Sequence, residues 1–167
     1  MNRRSFLYYT AAFAGGLALT PTLQAAGWAE GAKLPALDTF GLEGTLPNTT
    51  GKVVYLDFWA SWCAPCKASF PVLAGWHKDY ASRGLLVLGV NVDEELAAMK
   101  AFLAKNTVGF PVVRDAAHKL VAAANVDTMP TSFLIDRKGV IRLVHNGFHE
   151  KDKAPLQAKI ESLLAES

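Results

Sequence analysis

The stretch VVYLDFWASWCAPCK, Val53 to Lys67, decides the fold. Its first half, Val53–Trp59, is apolar almost throughout, broken only by Asp57. A short run of β-branched and aromatic residues of this kind predicts a strand buried on both faces of a sheet. The second half holds the chain's two cysteines, Cys63 and Cys66, in a C-x-x-C spacing. Beyond them Cys66, Phe70, Leu73 and Tyr80 fall near one face of a 3.6-residue helix. Cys63 is therefore predicted where a strand ends and a helix begins. Free backbone N–H groups and the positive end of the helix dipole favour a thiolate at that place. Cys66, one turn into the helix, is within reach of Cys63, which is the arrangement of a redox dithiol.

The pattern D-F-W-A-x-W-C-x-P-C-K resembles the active-site strand and helix of thioredoxins. From about Lys33 onward the chain resembles the periplasmic thioredoxin-like thiol–disulfide oxidoreductases of the TlpA/ResA group. The resemblance implies an α/β thioredoxin fold over residues 33–167, with a central mixed sheet flanked by helices and an N-terminal hairpin addition.

The remaining sequence is consistent with that fold. Lys33 to Gly51 sets Leu34, Leu37, Phe40 and Leu42 among Gly, Pro, Asn and Thr, and reads as a short hairpin or an irregular cover. The helix after Cys63 is expected from Ala64 to about Arg83, kinked at Pro71 and ended by Gly84. Leu85–Asp93 is a second buried strand, and a helical crossover between two such strands implies parallel, right-handed pairing. Asp93 is placed to cap a helix over 94–105 that turns Leu96, Met99, Phe102 and Leu103 inward. Phe110–Val113 reads as a short strand or extended run, and Ala116–Ala124 as a short helix. Thr131–Ile135 and Val140–His145 form an antiparallel hairpin, with Gly139 where the turn needs positive φ. Lys153–Ala165 closes the chain as an amphipathic helix.

At 167 residues the chain is long enough for one domain with a substantial core. Its formal net charge is +2, and both surplus charges are Arg3 and Arg4, so the remainder is formally neutral. That balance offers nothing to a nucleic acid. Residues 1–26 have a basic start, a moderately apolar middle and small residues at their end, the form of a signal peptide. N-R-R-S-F-L within it resembles the twin-arginine export motif, against the alternative of an ordinary secretion signal. Cleavage is expected between Ala25 and Ala29. An uncleaved anchor ranks lower, because Phe6–Leu19 falls short of the roughly 20 apolar residues of a spanning helix. Export would place the dithiol in the oxidising periplasm.

Cys63, at the helix terminus, is the candidate attacking thiol, and Cys66, shielded behind it, the resolving thiol. To act at neutral pH, the attacking thiol's pKa must fall from about 8.5 into a range of roughly 3.5–7.5. The competing reading is half of a zinc site, with His145 and His149 as partners. The intervening length and the flanking Trp62 and Pro65 favour redox chemistry. Asp57 is the odd residue of its strand: a carboxylate buried without a cation tends to keep its proton, whereas one at a strand edge would face water. The resemblance implies that Asp57 lies behind the dithiol and exchanges protons with Cys66. Thioredoxins pair that aspartate with a lysine on the next strand; here Gly89 stands in its place. Pro130 aligns with the family's cis-proline, which leaves the backbone of Met129 free for a substrate chain. Trp62, Ala64, Pro65 and Gly147 complete the expected substrate-facing rim, and Trp59 is expected in the core.

The resemblance implies a protein-disulfide reductase that needs no cofactor or resident metal. Its partners would be disulfide-bearing client proteins, in cytochrome c maturation or copper-site assembly, and a membrane thiol–disulfide electron donor; a monomer is expected. The alternative is a binding module that holds Cu(I) between Cys63 and Cys66, since soft thiolates suit that ion. Turnover of a disulfide substrate separates the two.

Overall fold

A computed structural model describes residues 28–166. The signal-peptide reading of residues 1–26 lies outside the described residues. Five strands form one sheet in the order β3-β2-β1-β4-β5. In chain order the elements are β1 (Val53–Trp59), α1 (Ala64–Tyr80), β2 (Leu85–Asn91), α2 (Leu96–Lys105), β3 (Val112–Arg114), α3 (Lys119–Ala124), β4 (Thr131–Ile135), β5 (Ile141–Asn146) and α4 (Lys153–Ala165). β1 pairs parallel with β2 and antiparallel with β4, so the sheet is mixed. This is the thioredoxin fold.

The two apolar runs occupy the middle of the sheet. Every residue of β1 and β2 is buried, as expected of central strands covered on both faces. Side chains alternate across β1. Tyr55 and Trp59 point toward α1, where they pack edge-on against Trp76 and Phe70. Phe58 points to the opposite face and meets Phe133 and Trp28. Trp59 is wholly buried, and it also packs on Phe102 of α2. Gly139, at φ 75°, turns the chain between β4 and β5.

The N-terminal hairpin does not form; the irregular cover does. Pro35, Gly41, Gly44 and Pro47 interrupt pairing within this segment. It makes a short 3-10 turn at Leu37–Phe40 and buries Leu37. Residues 31–34 hydrogen-bond to Gly139 and Ile141 beside β5, and Glu43 exchanges two backbone hydrogen bonds with Arg114 of β3.

Three further expectations are corrected. α2 begins at Leu96, not Glu94, and Asp93 does not cap it. Phe102 is its one buried residue, while Leu96 is 37% exposed. This helix sets Phe102 into the aromatic cluster of Trp59 and Phe70 and packs Met99 and Leu103, partly buried, against the core as expected; of the expected stripe, Leu96 is the residue that stays outside. α3 spans only Lys119–Ala124, because Asp115 accepts hydrogen bonds from the Lys119 and Val121 N–H groups and holds the preceding turn.

Candidate active site

Cys63 is the N-cap of α1, and its Sγ accepts the backbone N–H of Cys66 at 3.2 Å. Pro65 occupies the first turn of the helix, where no intrahelical N–H donor is needed. Cys63 and Cys66 form a disulfide with Cα atoms 5.3 Å apart. The exposed attacking sulfur expected from sequence is not seen in this oxidised state: Cys63 keeps 4% of its surface and Cys66 none. The Cys63 sulfur is turned inward, onto the Cys66 sulfur and N–H. Its neighbours Ala64 and Pro65 are exposed, and Trp62 is 69% exposed.

The loop that leads into Cys63 is held from β2. The buried Asp93 carboxylate accepts the Ser61 N–H at 3.1 Å, the Ser61 hydroxyl at 3.1 Å and the Asn91 amide at 2.9 Å. Asn91 in turn accepts the Asp93 N–H. Asp93 therefore anchors the loop before the dithiol and not the helix after it. Arg114 completes the arrangement: its guanidinium donates to the Asp93 and Glu94 carbonyls and pairs with Glu43 at 2.8 Å. Asp93 read as a cap from sequence because its partner, Ser61, is distant in the chain.

Asp57 lies in the centre of the sheet, 1% exposed, and does not face water. It sits between Tyr55 and Trp59 on the face packed against α1, the helix that carries the fully buried Cys66. Ser132, its register partner on β4, donates a hydrogen bond to Oδ1 at 2.6 Å. Oδ2 has no hydrogen-bond partner among the described residues. Burial pushes the Asp57 carboxyl up to about 7, with the Ser132 hydrogen bond opposing the rise. On the other side Asp57 is in register with Gly89. A Cβ at residue 89 would lie 3.1 Å from the Trp59 indole nitrogen and 3.2 Å from the Phe110 ring, so these aromatics fill the space.

The Met129–Pro130 peptide bond is cis, as the motif predicts. Pro130 is buried, and its carbonyl accepts the Gly147 N–H at 2.7 Å, which ties Gly147 to this loop. Thr131 steadies it further, donating to the Thr128 carbonyl at 2.7 Å. Among the described residues no hydrogen bond engages the backbone of Met129. Met129 and Trp62 line one cleft of about 450 Å³ with Ser61, Val92, Glu94 and Glu95. Ala64 and Pro65 follow Trp62 at the exposed turn into α1.

The structure does not bring the two histidines to the cysteines. His145 lies within β5, with Nε2 3.4 Å from Asp152, and His149 is exposed at the N-cap of the next turn. Among the described residues no group of three or more His, Cys, Asp or Glu side chains is placed to hold a metal ion.

A helix-capping disulfide on a thioredoxin fold, with a buried acid on the sheet face packed against the same helix and a cis-proline loop whose Met129 shares a cleft with Trp62, defines a thiol–disulfide oxidoreductase. Residues 29–144 match the AhpC/TSA family, and the chain belongs to that family. It is 35% identical to the thiol–disulfide oxidoreductase ResA of Bacillus subtilis over 145 residues, covering 85% of this chain and 76% of that protein. It is 32% identical to the ResA of Geobacillus kaustophilus, covering 75% of this chain and 71% of that protein. A crystallised Chlorobium tepidum protein, described as a DsbE-type thiol:disulfide interchange protein, superposes with a TM-score of 0.74 at 37% identity. That match covers 83% of this chain and all (100%) of the other.

Proposed function

We propose that this thiol–disulfide oxidoreductase is exported to the periplasm and reduces disulfides in client proteins, in cytochrome c maturation or copper-site assembly. The observation that carries the reading is the Cys63 Sγ accepting a backbone N–H at the start of α1, with Cys66 buried behind it. That donor and the helix dipole stabilise a thiolate at Cys63.

The reaction starts from the dithiol. The Cys63 thiolate attacks one sulfur of the client disulfide. The client S–S bond breaks, a mixed disulfide forms, and the released client thiolate takes a proton. Asp57 accepts the Cys66 proton at Oδ2, the oxygen that Ser132 leaves free. The Cys66 thiolate then attacks the Cys63 sulfur, which forms the Cys63–Cys66 disulfide and expels the second client thiolate. The client gains two electrons and the protein loses two. A membrane thiol–disulfide donor returns them. Trp62, Ala64, Pro65 and Gly147 form the rim, and the unpaired Met129 backbone takes the extended client segment in the manner of an added strand.

Trapping tests the reading. Cys66→Ser removes the resolving step alone, so the variant should accumulate in the periplasm as a mixed disulfide with its client. The adduct should be visible on a non-reducing gel and collapse with dithiothreitol. Cys63→Ser should trap nothing. Absence of any adduct, in cells where the wild type cycles between redox states, would overturn the reductase reading in favour of Cu(I) binding. Equilibration with glutathione tests direction: a potential near or below about −180 mV fits a reductant, whereas one near about −120 mV would make the protein an oxidant.

A further inference from the structure

We propose that Ser132 is a positioning residue for the redox reaction: its hydroxyl fixes the Asp57 carboxylate, sets its proton affinity and directs the exchanged proton to Oδ2. The inference rests on the reading of Asp57 as the proton acceptor for Cys66. Three observations carry it. Ser132 and Asp57 are directly opposed across the β1–β4 pair, where two rigid central strands fix their separation. The O–H···O distance is 2.6 Å, in the range of a hydroxyl bonded to a charged oxygen. Ser132 is itself 3% exposed, so water does not compete for the bond.

The other groups around Asp57 leave this role to Ser132. Tyr55, two residues along the strand, is buried and held far above its ordinary range, first by burial and then by Asp57, with a hydrogen bond to Ser132 opposing the rise; its hydroxyl stays neutral, so it can donate to the Ser132 oxygen while Ser132 donates to Asp57. β2 contributes Gly89, which has no side chain. On α1, which packs on this face of the sheet, Cys66 is held in the disulfide and the Ser69 hydroxyl is committed to the Cys66 carbonyl. His145, the register partner of Ser132 on β5, lies against Asp152, whose charge reaches Tyr55. Among the described residues no cation pairs with Asp57. The Ser132 hydroxyl is thus the one group seen to favour the charged form. With Oδ1 occupied by that donor, the incoming proton goes to Oδ2. When the proton departs, Ser132 is already oriented to hold the charge left behind.

The test is the titration of Asp57 in the purified oxidised protein, followed by carboxyl carbon-13 NMR and assigned with Asp57→Asn. Ser132→Ala should move the midpoint upward by about one pH unit or more, since a hydrogen bond to a charged group is lost. Ser132→Thr keeps the hydroxyl and should stay within about half a unit of wild type. Ser132→Val matches threonine in shape without the hydroxyl and should behave as alanine does. The Thr/Val pair carries the comparison if Ser132→Ala does not fold. An unchanged midpoint in folded Ser132→Ala or Ser132→Val would overturn the proposal. The pH–rate profile of the resolving step should shift in the same direction as the titration. If the titration moves while neither Ser132→Val nor Asp57→Asn alters that profile, Ser132 sets the affinity of Asp57 but the relay from Cys66 is overturned.

Discussion

Asp57 and Gly89 face each other across the two central strands, and the space above Gly89 is filled by the rings of Trp59 and Phe110. An acid at the centre of the sheet is thus flanked by aromatic surface on the side where thioredoxins place a cation. The carboxylate loses hydration and gains no countercharge, and its proton affinity rises accordingly.

This acid should make stability depend on pH. Its folded pKa, about 7, lies above the ordinary 3.8, so between those values the native state binds more protons than the unfolded chain. Stability from this group is therefore greatest below the lower value and is lost as pH rises toward 7. The loss is on the order of 4 kcal/mol for a group this buried. Urea unfolding of the oxidised protein at pH 5 and pH 8 should show the decline, and Asp57→Asn should flatten it. Equal slopes in both proteins would mean that Asp57 is ionised at ordinary cost.

Gly89→Ala should destabilise the fold by about 1–3 kcal/mol. The added methyl meets two rings at or near 3.1 Å and a Val112 methyl at 3.4 Å, and all three are packed into the core. The chemical denaturation midpoint reads the effect. A neutral result would show that Trp59 and Phe110 retreat without cost, and the account of the missing cation would fall with it.

Asp93→Ala should loosen the loop before the dithiol. The substitution leaves the half-buried Ser61 N–H and the buried Asn91 amide without their acceptor, the latter at a cost of about 1–3 kcal/mol. Amide exchange at Ser61 should quicken and disulfide reduction should slow. Unaltered exchange at Ser61 would argue that Asp93 does not hold the loop.

In the reduced protein, a brief iodoacetamide pulse below pH 8 should label Cys63 well before Cys66. Cys63 is the N-cap at the exposed turn, and Cys66 is wholly buried. Peptide mass mapping gives the ratio, and equal labelling would mean that reduction unseats the start of α1.

If residues 1–26 act as a cleaved signal peptide, as the sequence suggests, cleavage should fall before Trp28. Its ring packs 5.2 Å from Phe133 and 6.2 Å from Phe58, so cutting after Ala29 would strip part of the core. N-terminal sequencing of the protein recovered from cells expressing the full chain decides between these sites.

Much of this was legible in the residues. Val53–Trp59 and Leu85–Asn91 announced buried central strands by unbroken apolarity, and Cys63 and Cys66 announced the helix start by their spacing. Asp57 stood out because it breaks an apolar run. What stayed hidden depends on register and on distant partners. Ser132 is an unremarkable strand serine until pairing places it opposite Asp57. Asp93 precedes a helix, as a cap would, but its hydrogen bonds run back to Ser61. In residues 31–44, apolar side chains among turn formers gave no period, and the partners of that segment are rims formed by residues far along the chain.

That segment has a mechanical consequence. Outer strands expose unpaired N–H and C=O groups on which foreign strands can grow. Here one continuous piece of chain clips onto both rims, at Ile141 on one side and Arg114 on the other. Each rim is shortened as a template for aggregation. The two ends of the sheet are also tethered to one another, so that fraying at β5 pulls on the same strap that steadies β3 and, through Arg114, the loop in front of Cys63.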